Sequence, residues 1–423
     1  MFFLLYKYYL SLSMKKLFNI FLLSFLILSF IGFSQEIDSL VFKTDRLLEL
    51  GIKSKAFPGA QVLIFKNDTI RLNKTYGFQT YDSIVPIEKH HLYDLASVTK
   101  VLASTLAFMK LYELYNIGLD QKVAAYVPFL KRSNKKNSRF REVLSHSGGW
   151  LPYIAHQNLV LNKRGRFKTR TLSYKQNKKY PLQISDSLFI HKKYSKKIYR
   201  RIKKTKLNNL GEYTYSGLWF FLLPEIIKQL SGSSFSKFLQ TYFYTPLKTE
   251  RLGFLPSKKY PKSEIVPTEN DSIFRKQLIQ GWVHDEAAAM MGGISGNAGL
   301  FSNAVSLKPL LQMLLQNGNY NGKQYLKPET IKKFTQRSYP NSNNRRGLGF
   351  DKPSIDPESN YPSLLASPSS YGHSGFTGTF VWVDPTNNCF IIFLSNRVYP
   401  SRNQRKLYSL DIRGKLLDYA IQF

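Results

Sequence analysis

Two strand hairpins, one near each end of the chain, constrain the fold more than any other pattern in this sequence. The first has an apolar run over 60–66, a polar turn at Asn67-Asp68 and a second strand over 69–76. The second pairs residues 379–384 with residues 389–395. Short apolar runs separated by polar turns are typical of antiparallel hairpins. Because the chain between the hairpins is mostly helical in pattern, we predict one α/β (α+β) domain that is closed by both termini.

Helices are predicted beside these hairpins and between them. We expect an amphipathic helix over 37–51 and a terminal helix from about 403 to 421. The α/β part then comprises about 35–96 and 285–423, and residues from about 97 to 284 form a large helical insertion. Further helices are expected over 215–230 and 306–316.

The amino terminus has the pattern of an export signal. Met14-Lys15-Lys16 precedes an uncharged apolar run over 17–33, which is followed by Ser34-Gln35. A basic segment, an apolar run and a small residue at a cleavage point are typical of signal peptides. We therefore predict that residues 1–34 are a signal peptide, with Met14 as a possible true start, and that the mature chain is exported to the periplasm or envelope. A membrane anchor is the alternative, since the apolar run is at the short end of a spanning length.

The net charge of +34 is concentrated in one part of the chain. Between residues 157 and 210 there are 17 Lys or Arg and one acid, Asp186. Such a segment can bind an anionic envelope polymer or a membrane surface, or it can form a solvated surface without a partner. Nucleic acid is not an expected partner of an exported protein.

The sequence offers no signal for a cofactor. Cys389 is the only cysteine and lies in an apolar run, which excludes an intramolecular disulfide and a cysteine-based zinc site. The seven histidines are scattered, without the paired spacing of metal ligands. We therefore expect neither a cofactor nor a metal.

Ser97 and Lys100 give the first chemical signal. They stand three residues apart at the start of a helical run, a spacing that places the hydroxyl and the amine one turn apart on one helix face. The lysine can then assist removal of the serine proton and make Ser97 a nucleophile. The same spacing recurs at 133–136 and 234–237, so the spacing alone does not single out the first copy.

Two further motifs follow in order. They are Tyr215-Ser216-Gly217 and a segment that begins His373-Ser374-Gly375. With Ser97-x-x-Lys100, this order resembles the serine β-lactamase-related hydrolases, which include class C β-lactamases, D,D-peptidases and family VIII-type esterases. The resemblance covers nearly the whole mature chain and implies a β-lactamase/transpeptidase-like fold, an antiparallel sheet flanked by terminal helices. No G-x-S-x-G elbow occurs, which argues against an α/β-hydrolase triad.

The resemblance also implies a role for each matching residue. Ser97 would be the acylated nucleophile, Lys100 would help to deprotonate it, and Tyr215 would be the shared acid and base near the leaving group. The backbone N–H groups of Ser97 and Phe376 would form the oxyanion hole. His373-Ser374-Gly375 would bind the substrate.

Two departures from the family pattern affect the expected activity. Gly217 stands where the family usually has Asn or Asp, so a side chain near the lysine is missing. His373 stands where β-lactamases have Lys, and a neutral imidazole is a poorer partner for the carboxylate of a penicillin-like substrate. These differences favour an esterase-like enzyme over a true β-lactamase.

Three functions remain open from the sequence. The first is an exported serine hydrolase that cleaves a small ester or amide through an acyl-enzyme on Ser97. The second is a cell-wall D,D-peptidase or penicillin-binding protein that acts on a peptidoglycan-type substrate. The third, suggested by Gly217 and the basic segment, is a catalytically weakened homologue that binds an anionic envelope polymer.

Overall fold

The structure is a computed structural model that describes residues 37–168 and 170–423, together with residues 19, 21 and 22. Apart from those three, the predicted signal peptide and its cleavage point lie outside the described residues, so export stays a prediction. The strands are, in chain order, β1 (Gly59–Lys66), β2 (Thr69–Gly77), β3 (Tyr93–Asp94), β4 (Leu172–Ser173), β5 (Leu182–Ser185), β6 (Leu188–Ile190), β7 (Gly253–Phe254), β8 (Glu269–Asp271), β9 (Gln277–Ile279), β10 (Leu300–Ser302), β11 (Asn319–Tyr320), β12 (Lys323–Gln324), β13 (Tyr371–Ser374), β14 (Phe380–Asp384) and β15 (Cys389–Ser395). The α-helices are α1 (37–53), α2 (Leu106–Tyr115), α3 (Val123–Tyr126), α4 (Phe140–Leu144), α5 (Tyr194–Lys204), α6 (Leu223–Ser231), α7 (Phe235–Leu239), α8 (Glu286–Met290), α9 (Ala304–Leu315), α10 (Pro328–Thr335), α11 (Lys406–Ser409) and α12 (Ile412–Gln422).

A five-stranded antiparallel sheet joins the two ends of the chain. Its strand order is β13-β14-β15-β1-β2, so both predicted hairpins are confirmed and lie side by side. Ala60 of β1 lies opposite Ser395 of β15, and Lys66 lies opposite Cys389. The edge strand β13 contacts the turn that carries Ser97, which is how the sheet positions the site.

The two faces of this sheet pack against different layers. On one face, Val62 and Trp382 pack in a core with Leu48 of α1 and Leu417 of α12. On the other face, Leu63 belongs to the larger core that contains α2 and α9. Successive residues of a strand point to opposite faces, so an apolar run buried on both sides is what a sheet between two layers requires. The terminal helices therefore flank the sheet, as the sequence predicts.

The segment between residues 150 and 280 is not mostly helical, which corrects that part of the prediction. It contains a small three-stranded sheet in the order β4-β6-β5 and the hairpin of β8 with β9. Long irregular stretches connect them to α5, α6 and α7. Short apolar runs give too few periods to distinguish a strand from a helix by pattern alone. The division of the chain into an α/β part and an insertion stays a prediction.

Three predicted helices differ in their bounds. The helix expected over 215–230 begins later, as a 3₁₀ turn at Trp219–Leu222 that continues into α6. α9 begins at Ala304 because the Asn303 side chain accepts a hydrogen bond from the Ser306 N–H at 2.9 Å and caps the helix. The terminal helix is two helices, α11 and α12, because Asp411 adopts a left-handed conformation between them. Within the part of the chain that the structure describes, no helix is both long and apolar enough to span a membrane.

Candidate active site

Ser97 and Lys100 meet at the start of a helical segment, as the spacing predicts. Ser97 lies in a 3₁₀ turn, Ala96–Val98, and Lys100 begins a π-helical segment that leads into α2. The Lys100 Nζ lies 2.9 Å from the Ser97 Oγ and donates a second hydrogen bond, also 2.9 Å long, to the Asn297 carbonyl. Because Lys100 is only 3% exposed, its amine is held at the serine hydroxyl and is largely removed from water.

Two further copies of the S-x-x-K spacing, at 133–136 and 234–237, serve local structure. The Ser133 Oγ donates a 2.7 Å hydrogen bond to the Leu130 carbonyl at the end of a 3₁₀ turn. The Ser234 side chain caps α7 by accepting from the Lys237 N–H at 3.3 Å. Of these three copies, which all lie in the described part of the chain, only the one at Ser97 brings its serine and lysine side chains together.

The backbone beside the nucleophile is strained and held in place by its neighbours. Ala96 has φ +46°, a conformation that costs a non-glycine residue about 1–3 kcal/mol. The Ala96 N–H donates to the buried Asp94 carboxylate at 2.7 Å, and the Thr377 hydroxyl donates to the Asp94 carbonyl at 2.7 Å. The Thr379 hydroxyl donates to the Leu95 carbonyl at 2.9 Å. These contacts fix the turn Ala96–Val98, which carries the predicted nucleophile and is called the nucleophile turn below, against the segment that follows β13.

Gly375 is required by this close approach. A Cβ at Gly375 would lie 2.0 Å from the Thr379 Oγ1 and 2.6 Å from the Leu95 carbonyl oxygen. Its own carbonyl accepts a 2.8 Å hydrogen bond from Arg413. Gly375 therefore lets the segment after β13 pass beside the nucleophile turn, while its predicted contact with substrate stays a prediction.

Tyr215 lies in an extended loop before the 3₁₀ turn that precedes α6. The Ser216 N–H donates to His146 Nδ1 at 3.1 Å, and the Gly217 N–H donates to the Pro152 carbonyl at 3.3 Å. The Tyr215 ring centre lies 5.4 Å from the Lys100 Nζ. Within residues 37–168 and 170–423, the Tyr215 hydroxyl has no hydrogen-bond partner, and the side chain is 36% exposed. The phenol is therefore placed beside the Ser97–Lys100 pair with its hydroxyl free to bind a substrate atom.

A buried charge network lies behind the Tyr215 ring. Asp351 accepts hydrogen bonds from Arg345 at 2.9 Å and from the Tyr361 hydroxyl at 2.7 Å, and it forms an ion pair with Arg346 at 3.1 Å. Burial acts to raise the pKa of Asp351, but the two guanidinium groups hold that pKa well below its usual range. The Arg346 Cζ lies 5.8 Å from the Tyr215 ring centre, so a fixed cation stands close to the phenol.

His146 connects this network to the Tyr215 loop. Its ring centre lies 4.7 Å from that of Tyr215. One ring nitrogen faces the Ser216 N–H and the other lies 3.3 Å from Arg346 Nη2. Burial first, and then Arg346, lower the pKa of His146 well below its ordinary value. His146 is therefore neutral at physiological pH.

His373 is also neutral. Its Nδ1 lies 2.7 Å from the Ser374 carbonyl oxygen, so Nδ1 carries the ring proton. The buried Nε2 has no hydrogen-bond partner among the described residues. Burial, with Arg346 and Lys100 nearby, lowers the pKa of His373 to about 3. The position that holds a lysine in β-lactamases thus contributes no charge here.

The two residues predicted for the oxyanion hole, Ser97 and Phe376, both line the same cavity. The Ser97 N–H is in the first turn of its helical segment, where N–H groups lack intrahelical partners. The Phe376 N–H follows β13 and has no acceptor in the described part of the chain. Arg397 donates to the Phe376 carbonyl at 2.9 and 2.6 Å, and the Phe376 ring stacks on His284 at 5.6 Å. These contacts fix the orientation of the Phe376 peptide group.

A cavity of about 460 Å³ opens at Ser97. Its lining includes Ser97, Lys100, Tyr215, Asn297 and Phe376. His373 and Ser374 do not line this cavity. Their predicted substrate contact therefore stays a prediction.

Charged and polar side chains also line the cavity. They are Asp285, Glu286 and Arg402, together with Tyr153 and His156. Arg402 donates to Glu286 at 2.9 Å, and it also binds Glu269, which contacts His284 Nε2 at 2.7 Å. The Asp285 side chain accepts from the Ala288 N–H at 2.7 Å and caps α8. The cavity therefore contains acidic and basic groups in addition to the Ser97–Lys100 pair.

Sequence reasoning missed three residues of this site. Asn297 supplies the carbonyl that binds Lys100, and it lies in a glycine-rich segment that gave no chemical signal. His146 and Arg346 are 200 residues apart and meet only in the fold. At Gly217, a Cβ would lie 3.9 Å from both Lys100 Cε and Asn297 Cβ, so the space beside the lysine is open.

No metal cluster accompanies these residues. Across residues 37–168 and 170–423, the structure contains no group of three or more His, Cys, Asp or Glu side chains arranged to hold a metal ion. Burial raises the pKa of the Cys389 thiol to about 12, so this thiol is not a reactive group.

Comparison with known proteins gives a family match over most of the chain. The family model described as Beta-lactamase matches residues 44–413. A protein of Escherichia coli (strain K12) named "Putative D-alanyl-D-alanine carboxypeptidase" is 30% identical over 368 residues, which cover 81% of this chain and 79% of that protein. A protein of the same name from Salmonella typhimurium is 29% identical over 391 residues, covering 85% and 84%.

Solved structures share the fold at low sequence identity. EstCE1, described as a hydrolase with promiscuous acyltransferase activity, aligns with a TM-score of 0.65 and 18% identity over 91% of this chain and 99% of its own. The octameric penicillin-binding protein homologue from Pyrococcus abyssi aligns with a TM-score of 0.62 and 19% identity over 88% and 78%. The chain therefore belongs to the Beta-lactamase family of serine hydrolases and has its β-lactamase/transpeptidase-like fold.

Proposed function

We propose that the protein is an exported serine hydrolase that cleaves an ester or amide bond through an acyl-enzyme on Ser97. The observation that carries this proposal is the 2.9 Å contact between the Lys100 Nζ and the Ser97 Oγ at the floor of the cavity. Nucleophile and base within hydrogen-bond reach, with the base held by a third group, are the arrangement that nucleophilic catalysis needs. Here the third group is the Asn297 carbonyl.

The first half of the reaction forms the acyl-enzyme. Lys100, with Tyr215, takes the Ser97 proton as the oxygen attacks the substrate carbonyl carbon. The N–H groups of Ser97 and Phe376 bind the oxyanion, and each such donor typically lowers the barrier by about 3 kcal/mol. Tyr215 then gives the proton to the leaving alcohol or amine as its bond to the carbonyl carbon breaks.

The second half regenerates the enzyme. A water molecule attacks the ester carbon on Ser97 while Tyr215 and Lys100 accept its proton. The bond to the Ser97 Oγ breaks, the acid leaves, and the serine oxygen recovers a proton. The same groups therefore act first as base and acid for acylation and then for deacylation.

Two cations support Tyr215 during these proton transfers. The Lys100 Nζ and the Arg346 Cζ lie 5.4 and 5.8 Å from its ring centre. Fixed positive charge in a buried site stabilises negative charge that develops on the phenol oxygen. Because His373 is neutral, Arg346 is the second cation of this site, in addition to Lys100.

The proposed substrates are small esters or amides without a required carboxylate. A true β-lactamase binds the carboxylate of its substrate through a cation at the position of His373, and this imidazole has a pKa of about 3. We therefore place β-lactam turnover below the hydrolysis of activated esters.

A second candidate function is a D-alanyl-D-alanine-type carboxypeptidase that acts on a peptidoglycan-type substrate. It is favoured by the names of the curated relatives, which are similar over four fifths of the chain. The acidic and basic side chains that line the cavity, Asp285, Glu286 and Arg402, are compatible with a charged peptide substrate.

A labelling experiment followed by a substrate panel tests both candidates. A fluorophosphonate probe should label the folded protein at Ser97, as identified by mass spectrometry. Hydrolysis of 4-nitrophenyl acetate, nitrocefin and a D-Ala-D-Ala peptide should then be compared at equal concentration, with the ester hydrolysed fastest. Faster release of D-alanine would select the carboxypeptidase. A folded sample that takes no label would favour the catalytically weakened homologue.

Export rests on the sequence of residues 1–34. Expression of the full chain in a bacterial host should give a periplasmic protein whose first residue is near Gln35. Amino-terminal sequencing checks this. Full-length protein in the membrane fraction would show the membrane anchor instead.

A further inference from the structure

The structure describes all of the basic segment, residues 157–210, except residue 169. The segment contains a 3₁₀ turn (Asn158–Val160), the small sheet of β4, β5 and β6, and α5, with irregular stretches between and after them. All of its lysines and arginines are exposed except Arg201 and Lys203, which are half-buried. The structure therefore places almost all of this charge in contact with solvent.

Neighbouring groups do not neutralise this charge. Asp186, the only acid of the segment, binds Lys262 and accepts from the Trp282 indole N–H at 2.8 Å. Among the ion pairs formed by the described residues, none uses a lysine or arginine of the basic segment. Uncompensated like charges repel each other, so an anionic partner would be bound favourably.

The cationic face is held in a fixed position. Tyr194, Ile198 and Ile202 recur every four residues and bury one face of α5 in the core. The opposite face carries exposed cations, of which Lys196, Arg200 and Lys204 form one stripe. Because the apolar face of α5 is already packed, α5 cannot insert that face into a lipid bilayer as interfacial helices do.

The basic segment also adjoins the catalytic cavity. Arg201 of α5 contacts His156 Nδ1 at 3.1 Å, and His156 lines the cavity. α5 also contacts α8, whose first residue, Glu286, lines the same cavity. The helix that carries the cationic stripe is therefore in direct contact with residues that line the cavity.

We propose that the basic segment binds an anionic polysaccharide that carries ester or amide substituents, and that it presents those substituents to Ser97. The presentation step and the preference for a substituted polysaccharide over nucleic acid rest on the proposed hydrolase function, whereas the binding of an anionic polymer does not. A polysaccharide fits better than nucleic acid because a partner beside this cavity has to carry the acyl groups that the enzyme removes. It fits better than a bilayer because only charged groups of α5 face outward.

Binding is tested with fluorescein-labelled alginate, a polyuronate, followed by fluorescence anisotropy. The full protein should bind at low salt and lose at least tenfold in affinity at physiological salt, where screening acts beyond about 8 Å. The triple variant Lys196→Gln, Arg200→Gln and Lys204→Gln should bind at least tenfold more weakly. The matched control replaces three exposed lysines of and beside α10 with glutamine, namely Lys327, Lys332 and Lys333, and should change affinity less than twofold.

Presentation is tested with acetylated alginate. The α5 triple variant should release acetate from this polymer several-fold more slowly, while its hydrolysis of 4-nitrophenyl acetate stays at the level of the unchanged protein. Equal binding by the triple variant and the control, salt-independent binding, or binding to phosphatidylglycerol vesicles or DNA but not to alginate would overturn the proposal. A protein that binds alginate as described but hydrolyses no ester would retain the binding surface and overturn the hydrolase function alone.

Discussion

The two sides of the catalytic cavity are fixed in different ways. On the Ser97 side, direct hydrogen bonds from Thr377 and Thr379 hold the nucleophile turn, and Lys100 has two acceptors. On the Tyr215 side, the phenol hydroxyl has no hydrogen-bond partner among the described residues, and a buried network of Arg346 and neutral imidazoles surrounds its ring. Hydrogen bonds therefore hold the Lys100 amine directly on the first side, whereas on the second side they hold only the backbone next to Tyr215. Mutations on the Ser97 side should therefore affect labelling and hydrolysis directly, whereas mutations on the Tyr215 side should affect proton transfer and the response to pH.

The largest effect is expected at the nucleophile. Ser97→Ala removes only a hydroxyl, so labelling and hydrolysis should be abolished while thermal unfolding stays unchanged. Ser133→Ala and Ser234→Ala are matched controls, because these serines belong to two further S-x-x-K spacings and serve local structure. Retained labelling in Ser97→Ala, with loss in either control, would assign the nucleophile elsewhere.

A smaller but still large effect is expected at Tyr215. Tyr215→Phe keeps the ring and its contacts with Lys100 and His146 but removes the proton-transfer group. The turnover of 4-nitrophenyl acetate should fall about 10²–10⁴-fold, the usual contribution of general acid–base catalysis. Fluorophosphonate labelling rates measure the acylation part of this loss. A loss below threefold would show that Lys100 acts without the phenol.

His373 should make the Tyr215 side sensitive to acid. Its pKa is about 3 in the folded protein and near 6.5 when unfolded, so the unfolded state binds a proton first as the pH falls. The free energy of unfolding should therefore decrease between about pH 6.5 and pH 3, by up to about 1.4 kcal/mol per pH unit from this group.

The measurement is urea unfolding at pH 7 and pH 5. His373→Gln cannot take up that proton, so it should lose less stability between the two pH values than the unchanged protein. His156→Gln is a useful second variant, since burial and then Arg201 lower the pKa of His156 to about 4. Parallel losses in His373→Gln and the unchanged protein would contradict the assignment to His373.

The sequence predicted the Ser97 side better than the Tyr215 side. The meeting of Ser97 with Lys100 depends on a spacing of three residues, and the hairpins of β1 with β2 and of β14 with β15 depend on apolar runs joined by a short turn, so these features are readable locally. The loop at Tyr215 was predicted to be helical. Its observed conformation depends on the hydrogen bond from the Ser216 N–H to His146, which is 70 residues away in the sequence. Contacts over such separations have no local signature.

The same reason explains the other residues that the sequence did not reveal. Arg346 lies beside the Tyr215 ring only in the folded chain. Its ion-pair partner, Asp351, lies in a segment without a recognisable motif. The strands of the sheet formed by β4, β5 and β6 are too short to show a recognisable alternation of apolar and polar residues. The fold class and the meeting of Ser97 with Lys100 were therefore predictable, whereas the charges around Tyr215 were not.

The smallest effect is expected at Gly217, between the two sides. A Cβ there meets only Lys100 Cε and Asn297 Cβ, both at 3.9 Å, and the backbone is not left-handed, so asparagine should fit without strain. Its amide would add a hydrogen-bonding group near Lys100, which family members with Asn or Asp have at this position. Gly217→Asn should leave thermal stability nearly unchanged and raise the fluorophosphonate labelling rate by less than tenfold.

Gly253→Asn is the matched control, because its Cβ has equally open space, 3.9 Å from the Lys259 Nζ, away from the catalytic cavity. It should leave the labelling rate unchanged. A lower labelling rate in folded Gly217→Asn would show that the open space beside Lys100 is needed by the substrate. The glycine would then be a specificity feature of the Tyr215 side, since the groups that fix Ser97 are unaffected by the change.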